Sequence, residues 1–441
     1  MKIQLSEHFS FGKLLRFTLP SVVMMVFTSI YGVVDGIFVS NFSGKTAFAA
    51  INLIMPYIMM FGTLGIMVGT GGTALVSMTL GTGDRSRANQ IFSLLIWATV
   101  IGGIALSAVG IALLRPAAVL FGAQGEMLEL CVRYGLFTLP AMPAFLLQNV
   151  FQSFCVAAEK PNLGLGLTVA AGLTNIVLDA ALVPVWGLEG AALATSLSQC
   201  VGGIVPLIYF LRPNSSLLRL GKAKIEGGIL LRTCTNGSSE LMSNLSMSLV
   251  GILYNLQLMA FAGEDGVAAY GVIMYVNFIF IAVFLGYGIG VAPVIGYHYG
   301  AENHTELKSL LRKSLTIIAT LAVVLTAASE FLAGPLASVF VSYDPALFAM
   351  TKRAFMIYAL SFLLCGFNIF GSSFFTALNN GLVSAIISFL RTLVCQTAAV
   401  MLLPLIFRLD GVWFSVVVAE LTALLLTAGC IWGFRNKYHY D

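Results

Sequence analysis

The chain of 441 residues is predicted to be an all-α polytopic membrane protein, with twelve transmembrane helices in two pseudo-symmetric six-helix bundles. The first observation behind this is composition. Hydrophobic residues make up 59% of the chain and charged residues 10%, where a soluble domain carries roughly 25% charged residues. The mean hydropathy is +0.94. The second is the length of the apolar runs, which reach or exceed the roughly 20 residues needed to cross a bilayer. The third is an internal repeat at an offset of about 219 residues.

Taken in order, the runs place spans of the first half at 14–39, 48–80, 91–114, 127–157, 162–184 and 189–211. Those of the second half fall at 232–262, 267–298, 308–333, 350–377, 381–406 and 411–433. The start, MKIQLSEHFSFGKLLRF, is polar and basic, and the run after it is long enough to span, so no cleavable signal is expected. Several runs are longer than a bilayer needs, which calls for tilt or protrusion. Pro20, Pro56, Pro140, Pro143 and Pro293 lie inside spans; each removes a backbone donor and favours a bend, with Pro20 the expected hinge.

Domain organisation follows. Residues 1–211 form the first lobe, 212–231 a basic linker (RPNSSLLRLGKAKIEGGILL), and 232–441 the second lobe. Sixteen Lys and Arg fall on the side of the termini, including Lys2, Arg85 and Lys222, and six on the other. That bias puts both termini in the cytoplasm of a multi-pass protein in the plasma membrane. The net charge of +4 is small and spread over loops, so these residues read as topology determinants, with no nucleic-acid patch. The seven cysteines show no CxxC spacing and read as small core residues.

The repeat sets GIMVGTGGTALVSMTLGTGD opposite GYGIGVAPVIGYHYGAEN, so that Gly69, Gly71 and Gly83 fall opposite Gly286, Gly288 and Gly300. QNVFQSF lies opposite FNIFGSS, matching Asn149 to Asn368 and Phe151 to Phe370. Six spans per half keep both halves in one orientation, the arrangement in which transporters hold substrate between halves and rock them for alternating access.

Charges inside the membrane carry the functional signal, because an acid there costs a few kcal/mol and is retained for ions, protons or charged substrates. Asp35 sits in SIYGVVDGIFVS and Asp179 in LTNIVLDAALVP. They stand about 31 Å and about 26 Å from the inner ends of their helices, at similar depth. Asn175 is four residues before Asp179, on the same helix face. Carboxylate and amide oxygens suit a small hard cation, so Asp35, Asn175 and Asp179 are the candidate metal ligands if that cation is Na+. Gln148, Asn149 and Gln152 are candidates for its surrounding shell, against the competing reading of interhelical hydrogen bonds. In the second half Glu240, Arg391 and Glu420 approach the midplane as candidates for a substrate cavity. An ion pair between Arg391 and one of the acids leaves one acid in excess, and Met and aromatic residues suit varied cations.

The stretches GTGGTALVSMTLGTGD, APVIGYHYGA and LTNIVLDAALVPVWGLEGAALAT, together with an Asp fifteen residues after Pro20 in the first span, resemble the MATE (multidrug and toxic compound extrusion) family over essentially the whole length, in its bacterial multidrug branch. The resemblance implies an antiporter in which Na+ or H+ enters as an organic cation or zwitterionic drug leaves. It also implies a cation-coupling site of Asp35, Asn175 and Asp179, with Thr195 or its neighbour Ser196 as a fourth member. No cofactor and no partner chain are implied, and a monomer is expected.

Other classes are disfavoured. A lipid-linked oligosaccharide flippase of the same superfamily handles an anionic substrate, whereas here one membrane Arg faces four membrane acids. An intramembrane enzyme lacks its motif: the histidines, His8, His298, His304 and His439, form no HExxH, and no GxSxG elbow is present. No filter motif suggests a channel. GTGGTA and GYGIGVA lack the phosphate-binding Lys of a nucleotide loop.

Overall fold

A computed structural model describes residues 3–42, 45–342 and 344–440; Lys2, counted among the basic residues above, lies outside them. Every regular element in the described residues is helical. The first three spans are single helices, Phe11–Phe42, Lys45–Gly81 and Arg85–Leu120. The fourth is Gly125–Thr138 and Met142–Ala157, joined by a 3-10 turn over Leu139–Ala141. The fifth and sixth are Pro161–Trp186 and Leu188–Leu211.

The second half opens with Gly227–Asn236, so the segment without helix is 212–226, shorter than the expected linker. A continuous run Ser238–Gly300 is interrupted at Gly263 (φ 62°, ψ −149°), which separates the seventh span from the eighth. The ninth is His304–Val341. The tenth is Pro345–Ala359 and Phe362–Ala377, bent by 47°. The eleventh runs from Gly381 through a π-helical turn, Leu390–Cys395, to a break at Arg408 (φ 51°, ψ −130°), after which the twelfth continues to Gly433. Twelve spans result among the described residues, as expected, each longer at one end or both than the apolar run alone indicated.

The bends depart from the proline pattern. The helices run on through Pro20, Pro56 and Pro293. A break does occur at Pro140 and Pro143, but the equivalent break in the tenth span, at Leu360 and Ser361, has no proline. The loss of helical continuity is thus a property of the repeat, which the first half happens to mark with proline.

The halves meet through backbone-close glycine contacts at the end carrying the termini. A Cβ on Gly81 would stand 2.0 Å from the Tyr297 carbonyl oxygen, and one on Gly300 would stand 2.0 Å from that of Met78. Likewise a Cβ on Gly71 would meet the Thr233 carbonyl at 2.2 Å, and one on Gly290 would meet Thr18 Cα at 3.0 Å. These are reciprocal contacts across a pseudo-two-fold axis; they agree with the offset of about 219 residues that Asn149 and Asn368 follow and correct the glycine pairing. Gly71 matches Gly290 and Gly81 matches Gly300, while Gly69 and Gly288 both turn inward onto their own half, against Asn149–Val150 and Ser373. Gly83 (φ 86°) is the counterpart of Glu302 (φ 54°).

The segment before the first span fastens the same end. Leu5 N donates to Glu159 Oε1 at 2.7 Å, from the first half. Phe9 N donates to Glu306 Oε1 at 2.9 Å, His8 Nδ1 lies 2.6 Å from Glu306 Oε2, and Lys313 donates to the Phe9 carbonyl, all from the second half. Leu5 and Phe9 are fully buried.

Candidate functional site

In the first half, glycine sets the depth at which two acids meet. At Gly172 a Cβ would come within 2.5 Å of Phe27 Cε1 and 3.0 Å of Tyr31 Cδ1, so the fifth span lies close against the first. The spans run parallel, and two turns farther on they present Asp179 and Asp35 to each other. The two carboxyls are neighbours, each the nearest acid to the other. Asp179 is fully buried and Asn175 is 2% exposed. Asp35 Oδ1, both Asp179 carboxyl oxygens, Asn175 Oδ1 and Thr195 Oγ1 are buried without a hydrogen-bond partner. Buried polar atoms are normally paired, so five unpaired oxygens are a ready coordination shell for a small cation or a proton.

Thr195 belongs here and Ser196 does not. The Tyr134 hydroxyl lies beside Thr195 in the field of both acids. Ser196 Oγ instead donates within 2.8 Å of the Phe137 and Ala192 carbonyls, turned toward the fourth span. Of the three candidate shell amides only Gln148 reaches the site, through the neighbouring Tyr31, which also feels Asp35. Asn149 Nδ2 donates to the Gly62 carbonyl of the second span at 3.3 Å, the interhelical bond of the competing reading. Gln152 lines a small gap with Thr168 and Gly202, which Gln148 lines too, and Thr168 stands about 16 Å along its helix before Asp179. Sequence reasoning missed Tyr31 and Tyr134. Tyr31 carried a signal, being four residues before Asp35 on the same face.

The second half holds a cavity of about 580 Å³, closed on one side by Met25 and Ser29 of the first span. Glu240, Arg391 and Glu420 all line it. Arg391 Nε lies 3.0 and 2.9 Å from the two Glu420 oxygens, and its Nη2 lies 2.8 Å from Oε1. Asn368 Nδ2 donates to Glu420 Oε2 at 2.8 Å, and Thr427 donates to Asn368 Oδ1 at 2.9 Å. The π turn carries Arg391, and such turns cluster at functional sites. Glu240, in the first turn of its helix, makes no ion pair among the described residues. It is the acid in excess. The lining includes Met25, Met247 and Met274, but its rings are Tyr254, Tyr270 and Tyr358 more than phenylalanine. Pro20, the expected hinge, is buried beside Ser21 and Val22, where a Cβ on Gly286 would come within 2.5 Å of Val22 Cα.

The sequence matches the MatE family over residues 20–181 and 241–401, one segment in each half. It is 25% identical over 98% of its length, and 95% of the relative's, to a protein of Staphylococcus haemolyticus called multidrug export protein MepA. The protein of that name from Staphylococcus aureus is 26% identical with the same coverage. A solved structure described as the outward-facing conformation of a multidrug resistance MATE family transporter of the MOP superfamily superposes with a TM-score of 0.91. That likeness covers 98% of this chain and 97% of the other at 23% identity, and it is a likeness of fold.

Proposed function

The chain belongs to the MatE family, the multidrug and toxic compound extrusion transporters, and from that premise we propose that it is a secondary multidrug efflux antiporter, exporting organic cations in exchange for inward Na+ or H+. It is a transporter and not an enzyme. The observation that supports coupling most directly is the set of five buried, unpaired oxygens on Asp35, Asn175, Asp179 and Thr195. An inward-moving cation supplies the missing positive charge, and a proton supplies the missing donor. The coupling ion is cargo in this reading and no cofactor is needed.

The drug site in this reading is the cavity of the second half. Its ionic balance is two acids, Glu240 and Glu420, against Arg391, which favours a cationic substrate over the anionic lipid-linked sugar of a flippase. The basic bias of the loops assigns the packed terminal end to the cytoplasm of a plasma-membrane protein, so the conformation described is closed inside. A single chain holds both sites, and the working unit is a monomer.

The test is transport by purified protein in liposomes, with Na+ and pH gradients imposed separately and a fluorescent organic cation as cargo. One of the gradients should drive cation movement in the wild type. Asp35→Asn and Asp179→Asn should insert and fold yet abolish that movement. Wild-type rates in either variant would overturn the assignment of the coupling site.

A further inference from the structure

The cavity of the second half holds buried hydrogen-bond acceptors without partners, while several of its donors are engaged with other groups. Arg391 turns Nε and Nη2 onto Glu420. Asn244 Nδ2 donates to the Glu240 carbonyl oxygen at 2.9 Å, and the hydroxyls of Ser372 and Ser388 satisfy each other at 2.9 Å. Against this, the Glu240 carboxylate has no ion-pair partner among the described residues. Asn277 is 3% exposed with Oδ1 unpaired, and Tyr254 is 3% exposed with its hydroxyl unpaired. All three line the same cavity.

The rings offer no open cage in compensation. Tyr254 and Tyr270 stack with centroids 5.2 Å apart and planes 6° from parallel, so each covers a face of the other. A quaternary ammonium ion has no N–H and is recognised by ring faces arranged around it. Such an ion offers no donor to Asn277 Oδ1 or Tyr254 Oη and leaves both buried groups unpaired, where an N–H cation can pair them. A site built around hydrogen-bond partners rejects the analogue that lacks them far more strongly than a hydrophobic pocket rejects a missing methyl group.

We infer that this cavity selects cations that carry N–H donors (amidinium, guanidinium, or primary and secondary ammonium) over fully alkylated ammonium ions of the same size, with Asn277 and Tyr254 as the specificity-determining residues beside Glu240. The inference rests on the reading of this cavity as the drug site. Glu240 attracts either kind of cation, and Asn277 Oδ1 and Tyr254 Oη distinguish them.

The experiment is competition binding to the purified full chain in nanodiscs. The probes are a biphenyl amidine and the matching biphenyl trimethylammonium ion, each displacing a fluorescent cation. Wild type should bind the amidinium about tenfold more tightly or better. Asn277→Leu should bring the two within about threefold by weakening the amidinium alone, and Tyr254→Phe, which keeps the ring and its stacking, should narrow the ratio partway. Glu240→Gln should weaken both ions, the amidinium more, because its N–H groups also hydrogen-bond the carboxylate. Equal binding of the two ions by wild type, or a ratio unchanged in Tyr254→Phe and in Asn277→Leu, overturns the inference while the export reading stands. If wild type binds neither ion, the export reading falls, and the inference with it.

Discussion

Glu420→Gln and Glu240→Gln are the same chemical change at two acids of one cavity, and the structure predicts opposite outcomes. Glu420 receives Arg391 on both oxygens and Asn368 on one, with side-chain exposures of 2% for Glu420 and 13% for Arg391. Removing its charge keeps the acceptor for Asn368 but leaves a buried guanidinium facing an amide. Breaking such a pair from one side costs about 3–5 kcal/mol. Arg391 borders the cavity, where water relieves part of the loss, so the low end applies: about 3 kcal/mol, or about 150-fold in the folded-to-unfolded ratio. Removing both charges in Glu420→Gln with Arg391→Met should restore most of that stability, as replacing a whole buried pair is close to neutral. Glu240→Gln breaks no pair. It should leave stability unchanged and weaken binding of a cationic drug tenfold to hundredfold, about 1.4–2.8 kcal/mol. Thermal unfolding in detergent, followed with a thiol-reactive dye, reads the stability, because Cys131, Cys155 and Cys365 are buried until the helices separate. An E420Q protein as stable as wild type, or an E240Q protein as unstable as E420Q, would refute the assignment of the pair.

Arg408 occupies the backbone conformation that Gly187 takes in the first half, φ 51° and ψ −130° against 55° and −125°, so Arg408→Gly should raise stability by about 1 kcal/mol while Arg408→Ala gives no gain; a destabilised R408G in the same unfolding assay refutes the strain. Gly81→Ala and Gly300→Ala each put a methyl group 2.0 Å from a carbonyl oxygen of the opposite half, and should hold the terminal end apart. A cysteine at Ser77, fully buried in the closed state, should then react with an impermeant thiol reagent from the terminal side, and unchanged protection counts against the gate.

The span count was legible because a bilayer asks for a long apolar run whatever the rest of the sequence does. Asp35, Asn175 and Asp179 were legible because a carboxylate in such a run is costly and an i, i+4 amide shares its face. The offset of about 219 residues was legible too, but the pairing of the glycines was not. In GTGG and GYGIG glycines recur every second residue, so a slip of two leaves the match nearly as good, and only the carbonyl each glycine approaches settles it. Thr195 and Ser196 differ by about 100° of helix rotation, which residue type does not report. Asn149 and Asn368 match in sequence and do different work, one bonding the Gly62 carbonyl and the other Glu420. The π turn at Arg391 and the break at Leu360 arise from packing and leave no proline or glycine behind.

The two sites lie in different halves, so coupling requires an element that touches both. The first span is that element. Asp35 faces Asp179, Met25 and Ser29 close the drug cavity, and Thr18, Ser21 and Val22 lie under Gly286 and Gly290 at the terminal end. Pro20 falls among the gate contacts, between Thr18 and Ser21, and ahead of the cavity contacts, and there the Arg16 carbonyl has lost its helical donor. A ligand moves a two-state equilibrium only by binding the states unequally. In the proposed exchange the ion binds at Asp35 and the drug beside Met25 and Ser29, about 15 and about 9 Å away along one helix. A change in that helix beyond Pro20 that improves one site must alter the wall of the other. By reciprocity the drug then weakens the ion as much as the ion weakens the drug, which is the requirement for exchange. Where the halves meet, Ser21, Thr73, Ser77, Thr233 and Ser239 are buried with unpaired hydroxyls, so in the proposed cycle water entering between the halves gains hydrogen bonds that the closed contact withholds.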